Sequence, residues 1–137
     1  IKASVVAKDE LESGLRMILN FGHTVGHALE SLTRYRAYNH GEAVAVGMVA
    51  AAMLSSRLRI LDLDVVKRIK ALLEKLGLPT EIEALPANKI IDALGVDKKI
   101  SGGRINFILL EIIGKVVIRN DVSLNLVKQV LGDLGAK

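Results

Sequence analysis

The chain has 137 residues, half of them hydrophobic and a quarter charged, with a formal net charge of +4. That length and balance suit one packed domain, residues 1–137, and exclude a disordered chain. The absence of cysteine excludes disulfides, thiolate metal sites and cysteine nucleophiles together, and it fits a reducing compartment.

Residues 1–8, "IKASVVAK", form a leading segment. The stretch "DELESGLRMILNFGHTVGHALESL" then places Leu11, Leu15, Ile18 and Leu19 at helical spacing. Asp9 is a candidate N-cap, and Glu10 and Glu12 suit a first turn, where the helix dipole favours negative charge. Gly22 and Gly26 each cost roughly 1 kcal/mol in a helix interior relative to alanine. They predict a break near Asn20–Gly22, or close packing against a ligand or another backbone. A loop at residues 33–39 leads to a second helix from Glu42 to about Leu58. It is apolar nearly all round and so is expected to be the central buried element. Its run "EAVAVGMVAAAML" is too short to span a bilayer, and no signal peptide is visible, so a cytoplasmic location is expected.

"DLDVVKRIKALLEKLG" reads as an amphipathic helix capped by Asp62 or Asp64. Val65, Ile69, Leu72 and Leu76 line one face, and Gly77 then Pro79 stop it. A short helix is predicted over roughly 87–94, followed by a polar loop, "DKKISGG". "RINFILLEII" and "KVVIRNDV" are rich in branched apolar residues and meet at Gly114, which predicts a β-hairpin within residues 104–122. Ser123 caps a last helix, "LNLVKQVLGDL". The fold class is therefore mainly α with one small β-hairpin.

All three histidines, His23, His27 and His40, lie in one window of eighteen residues. Three of the four aromatic residues, Phe21, Tyr35 and Tyr38, lie in or beside it. His23 and His27 are four apart and share a face if the helix is continuous; that spacing can chelate zinc, with His40 adding a nitrogen. A pair of helical histidines is also a common structural or surface feature. The pattern is not His-Glu-x-x-His, so peptide hydrolysis is not indicated. Glycine before His23 and His27 and after His40 leaves room for a close approach to the backbone. Glu30 and Glu42 could orient a ligand histidine, or be ordinary surface acids. Upstream, Lys2, Arg16 and Asn20 are donors suited to phosphate or carboxylate oxygens; Arg16 could equally pair with Glu12. Lys98 and Lys99 matter only if their loop folds back on the pocket. Basic residues near the histidines point to an anionic small substrate, with no nucleic-acid patch and no membrane segment.

Taken together, "GLR-x-x-LN-x-GHT-x-GHA-x-E", "HGEAV", "DKK" and "RINFILLEIIGK" resemble the C-terminal domain of the 3-dehydroquinate synthase family over nearly the whole chain. The resemblance implies a multihelical domain that holds metal and substrate, joined in the complete protein to an N-terminal α/β domain that binds NAD, usually as a homodimer. It implies an enzyme of the shikimate pathway that uses NAD and zinc, or another divalent metal such as cobalt. Such an enzyme converts a seven-carbon keto sugar acid phosphate, 3-deoxy-arabino-heptulosonate 7-phosphate, to 3-dehydroquinate with loss of phosphate. By the same resemblance His23 and His40 are metal ligands, while His27 contacts substrate and moves protons. Glu12 is a proton acceptor, and Lys2, Arg16, Asn20 and Lys98 grip substrate. The family's third ligand is a glutamate in an upstream "AE-x-x-K" motif, which this sequence lacks. The chain, starting at Ile1, is thus expected to be a C-terminal part that folds without turnover. The competing readings are another sugar-phosphate cyclase such as 2-deoxy-scyllo-inosose synthase, a metal-dependent alcohol or glycerol dehydrogenase relative, and a non-catalytic helical interaction module.

Overall fold

A computed structural model describes the backbone of residues 15–34, 36–100 and 103–137, and the side chains of 18–34, 36–96 and 103–137. Among the described residues a 3₁₀ helix (Leu15–Asn20) precedes α1 (His23–Thr33), α2 (His40–Arg57), α3 (Leu63–Lys75) and α4 (Ala87–Ile100). The strands β1 (Phe107–Ile112) and β2 (Lys115–Arg119) follow, then α5 (Leu124–Asp133). The mainly helical class and the hairpin are as the sequence predicts. None of these helices is long and apolar enough to cross a membrane.

Helix α2 starts two residues earlier than its apolar pattern suggests. Asn39 Oδ1 accepts the Glu42 N–H at 2.8 Å, and Glu42 Oε1 accepts the Asn39 N–H at 3.1 Å, a reciprocal capping box. His40 is therefore the first helical residue. From there α2 packs on α1, α3, α5 and β1, and Ala43, Val46, Val49, Ala50 and Leu54 are buried in the main core. It is the central element that its composition predicts.

Two other elements depart from expectation. In α3 the buried residues are Val66 and Leu73, while Leu72 and Leu76 are 58% and 66% exposed. The doublets Val65-Val66 and Leu72-Leu73 offer two apolar rows one residue apart, and the neighbouring hairpin selects the other row. Asp62 is the N-cap of α3 by position, without a side-chain capping bond. Helix α4 runs on to Ile100, so Asp97, Lys98 and Lys99 are helical and not in a loop. Lysine is a good helix former, so the polar run is no barrier.

The hairpin is antiparallel, with Phe107 opposite Arg119, Leu109 opposite Val117, and a turn at Gly114 with φ 92°. Strand β1 is buried on both faces. Phe107 and Leu109 join the main core, whereas Leu110 packs with Ala52, Leu61 and Val66 beneath α3. Ser55 locks this layer. Fully buried on α2, its hydroxyl donates to Ala51 O at 2.7 Å and accepts the Leu110 N–H at 2.9 Å. Ser55→Ala would strand that strand amide away from water. The expected cost is about 1–3 kcal/mol, read as a lower urea midpoint; an unchanged midpoint would show that the amide finds another acceptor.

Candidate functional site

The site is built on a contact between two backbones. Gly22 faces Val44 and Met48 of α2, Gly26 faces Ala43 and Val44, and Glu30 reaches His40. Successive positions on α1 thus meet earlier positions on α2, so the two helices run antiparallel. A Cβ added at Gly47 would lie 1.9 Å from Gly22 O and 3.0 Å from Gly26 N. Three glycines therefore let the helices touch main chain to main chain. Gly22 also takes φ 84° and forms the N-cap of α1, which places the predicted break at Phe21–Gly22. The glycines beside His23 and His27 serve this helix contact and not the approach of a ligand. A Cβ added at Gly41, after His40, would meet only Asn39 Oδ1 among the described residues, at 3.6 Å.

Across this contact the three histidine rings gather. Ring centres are 5.2 Å apart for His23–His40, 5.3 Å for His23–His27 and 6.3 Å for His27–His40. Two imidazoles on one tetrahedral zinc, each with Zn–N of about 2 Å, have ring centres about 5 Å apart. Both of the shorter separations fit, so distance alone does not choose the ligand pair. Hydrogen bonding distinguishes the rings. His23 Nδ1 lies 3.3 Å from Phe21 O, and His40 Nδ1 lies 2.8 Å from Glu30 Oε1. Both partners are acceptors, so in the neutral rings each Nδ1 donates and each Nε2 carries a lone pair that could take a metal. The His27 ring is exposed. Among the described residues no three His, Asp or Glu side chains are placed to hold one metal ion together. Any metal held here would take further ligands from outside the described residues.

Other residues hold this geometry through contacts that the sequence did not reveal. Tyr38, buried just ahead of α2, accepts the Glu83 N–H at 3.0 Å and so ties down the approach to His40. Thr24 Oγ1 donates to Asn106 O at 3.0 Å, joining α1 to the start of β1. Glu42 is committed to its capping box, where its carboxylate accepts the Asn39 N–H and orients no histidine ring. Asn-His-Gly-Glu is the signature that would have revealed it.

The remaining candidates are placed unevenly. Asn20 ends the 3₁₀ helix and is partly buried. Because the 3₁₀ helix ends there and α1 begins after Gly22, Arg16, Asn20 and His23 do not lie on one continuous helix. Arg16 lies in that 3₁₀ helix, but its side chain is outside the described set. Lys98 is in the last turn of α4, which packs against α1; its side chain is likewise outside the set. Lys2 and Glu12, like Asp9 and Tyr35, lie outside the described residues.

The family described as 3-dehydroquinate synthase C-terminal matches residues 1–100. The chain belongs to this family. Among curated relatives of this dehydroquinate synthase domain, the 3-dehydroquinate synthase of Nostoc punctiforme is 50% identical over 131 residues, covering 95% of the chain and 36% of the relative. That of Acidithiobacillus ferrooxidans is 55% identical over 121 residues, covering 88% and 33%. The chain thus spans about a third of the length of the curated relatives it matches. A 2-deoxy-scyllo-inosose synthase complexed with carbaglucose-6-phosphate, NAD+ and Co2+ superposes with a TM-score of 0.81 at 32% identity, covering 96% of this chain and 38% of that one. The 2-epi-5-epi-valiolone synthase of Streptomyces hygroscopicus subsp. jinggangensis, with NAD+ and Zn2+ bound, shares the fold with a TM-score of 0.84 at 24% identity, covering 96% and 36%.

Proposed function

We propose that this chain is the metal- and substrate-holding domain of a 3-dehydroquinate synthase, which converts 3-deoxy-arabino-heptulosonate 7-phosphate to 3-dehydroquinate and phosphate. One observation carries the reading. In a chain half identical to enzymes of that name, His23 and His40 meet across two helices with Nδ1 of each at a hydrogen-bond acceptor and, among the described residues, no partner on Nε2. The pair fits a divalent ion, zinc or cobalt, and the 2-deoxy-scyllo-inosose synthase relative holds Co2+. When bound, the metal would polarise substrate hydroxyls, and NAD would supply reversible hydride transfer.

The chain's own residues would do the rest. His27, exposed beside the pair, would accept and return a substrate proton. Asn20 would offer its carboxamide to substrate hydroxyls. Lys2, Arg16 and Lys98 would take the carboxylate and phosphate oxygens, for which a guanidinium or ammonium is suited, and Glu12 would accept a proton. NAD would be bound mainly by an N-terminal domain, which would also bring the remaining metal ligand. The working form would be a cytoplasmic homodimer acting on an anionic sugar phosphate. The likeness to 2-deoxy-scyllo-inosose synthase favours a second reading, a related cyclase acting on a different sugar phosphate.

The test is product analysis on the full-length protein with NAD, zinc or cobalt, and heptulosonate 7-phosphate. Equimolar phosphate and dehydroquinate, with no net accumulation of NADH, is the expected result. A carbocycle formed from a hexose 6-phosphate instead would establish the second reading, and accumulating NADH from a simple alcohol would establish a dehydrogenase.

A further inference from the structure

Glu30 is the one charged side chain among the buried described residues, at 4% exposure on α1. An ionised carboxylate removed from water costs several kcal/mol unless a partner compensates it. Its hydrogen-bond partner is His40, at 2.8 Å, a ring that is itself 60% exposed. A ring with that access to water needs no buried acid for solvation. The pairing makes sense as orientation. With Nδ1–H bound to the carboxylate, the ring cannot turn over, and its tautomer is set.

We propose that Glu30 is the positioning residue for His40. Its carboxylate holds the Nδ1–H so that the Nε2 lone pair is presented to the space shared with His23. Helix α1 then carries one ligand, His23, and the group that aims the other. Both are referred to α2 by the same glycine-lined contact. Glu30 need not touch substrate or metal. The inference rests on the reading that His23 and His40 hold a divalent ion.

The experiment compares wild type, Glu30→Gln and Glu30→Ala in the full-length protein, stripped of metal. Zinc affinity is measured by competition with a chromophoric chelator, and the site is reported by the visible absorption of bound Co2+. Glutamine keeps an acceptor and the side-chain volume, so Glu30→Gln should fold even if Glu30→Ala does not. The expected losses are about tenfold in zinc affinity for Glu30→Gln and towards about 100-fold for Glu30→Ala. The Co2+ spectrum should shift, and the His40 ring nitrogens should show a changed tautomer by ¹⁵N NMR. A merely structural role would move the melting temperature of the metal-free protein and leave spectrum and tautomer alone. Affinities within twofold of wild type, with an unchanged Co2+ spectrum, would overturn the assignment. A wild type that takes up neither zinc nor cobalt would instead remove the metal reading itself, and Glu30's role with it; that outcome is distinct because it needs no variant.

Discussion

Gly47→Ala will destabilise the domain by about 3 kcal/mol or more, the upper end of what overpacking costs. The sign is the informative part. In an ordinary helix interior, glycine to alanine gains up to about 1 kcal/mol. At Gly47 the new methyl would meet Gly22 O at 1.9 Å and Gly26 N at 3.0 Å, both of them main-chain atoms that cannot rotate aside. The helices must separate, and the separation carries His23 away from His40, so zinc affinity should fall together with stability. Gly22→Ala should also destabilise, since a Cβ there lies 2.8 Å from Val44 O and the residue holds φ 84°. Gly95→Ala and Gly132→Ala supply the control. Both lie in helices, and a Cβ at either meets nothing within 4 Å among the described residues, so each should be neutral or mildly stabilising. Urea denaturation of the metal-free protein measures all four. A Gly47→Ala protein within about 1 kcal/mol of wild type would show that α1 and α2 part without strain.

The second large effect separates the three histidines. His23→Ala and His40→Ala should each lower zinc affinity by about 100-fold or more, since a bound zinc gains on the order of 3 kcal/mol per protein ligand. His27→Ala should leave zinc stoichiometry intact and slow turnover of the full-length enzyme by about 10²–10⁴, the usual range for a lost acid–base group. Ring spacing would not forecast this split, because His23 lies 5.2 Å from His40 and 5.3 Å from His27. The split follows from the acceptors at Phe21 O and Glu30, which fix two rings. Zinc lost as completely from His27→Ala as from His40→Ala would mean that the three rings act as one set.

Much of this arrangement can be read from residue patterns, and the failures have definite causes. The hairpin at Gly114 and the Ser123 cap, whose oxygen accepts the Leu126 N–H at 3.1 Å, are local signals and come out as predicted. So does the burial of α2, because a helix apolar all round has nowhere else to go. The face of α3 does not, since adjacent doublets leave two rows equally apolar and only the packed hairpin breaks the tie. The end of α4 is hidden because Asp97–Lys99 carry no apolar periodicity, although nothing in them opposes a helix. At the site, composition marks the histidine window. It cannot show that the glycines face another helix, because the residues they meet lie roughly twenty positions away along the chain.

The first turn of a helix is ordinarily where it frays, as its leading amides lack partners. Helix α1 opens on Gly22 without a side-chain cap, yet that turn is pressed against the middle of α2. His23 therefore sits on a turn that cannot unwind unless a second helix moves with it. The spacing between His23 and His40 belongs to that contact, with buried Tyr38 anchoring the end of the connection next to His40. Arg36 and Ala37, exposed in that connection, are a place where the chain can gain or lose residues while the distance between the two rings stays the same.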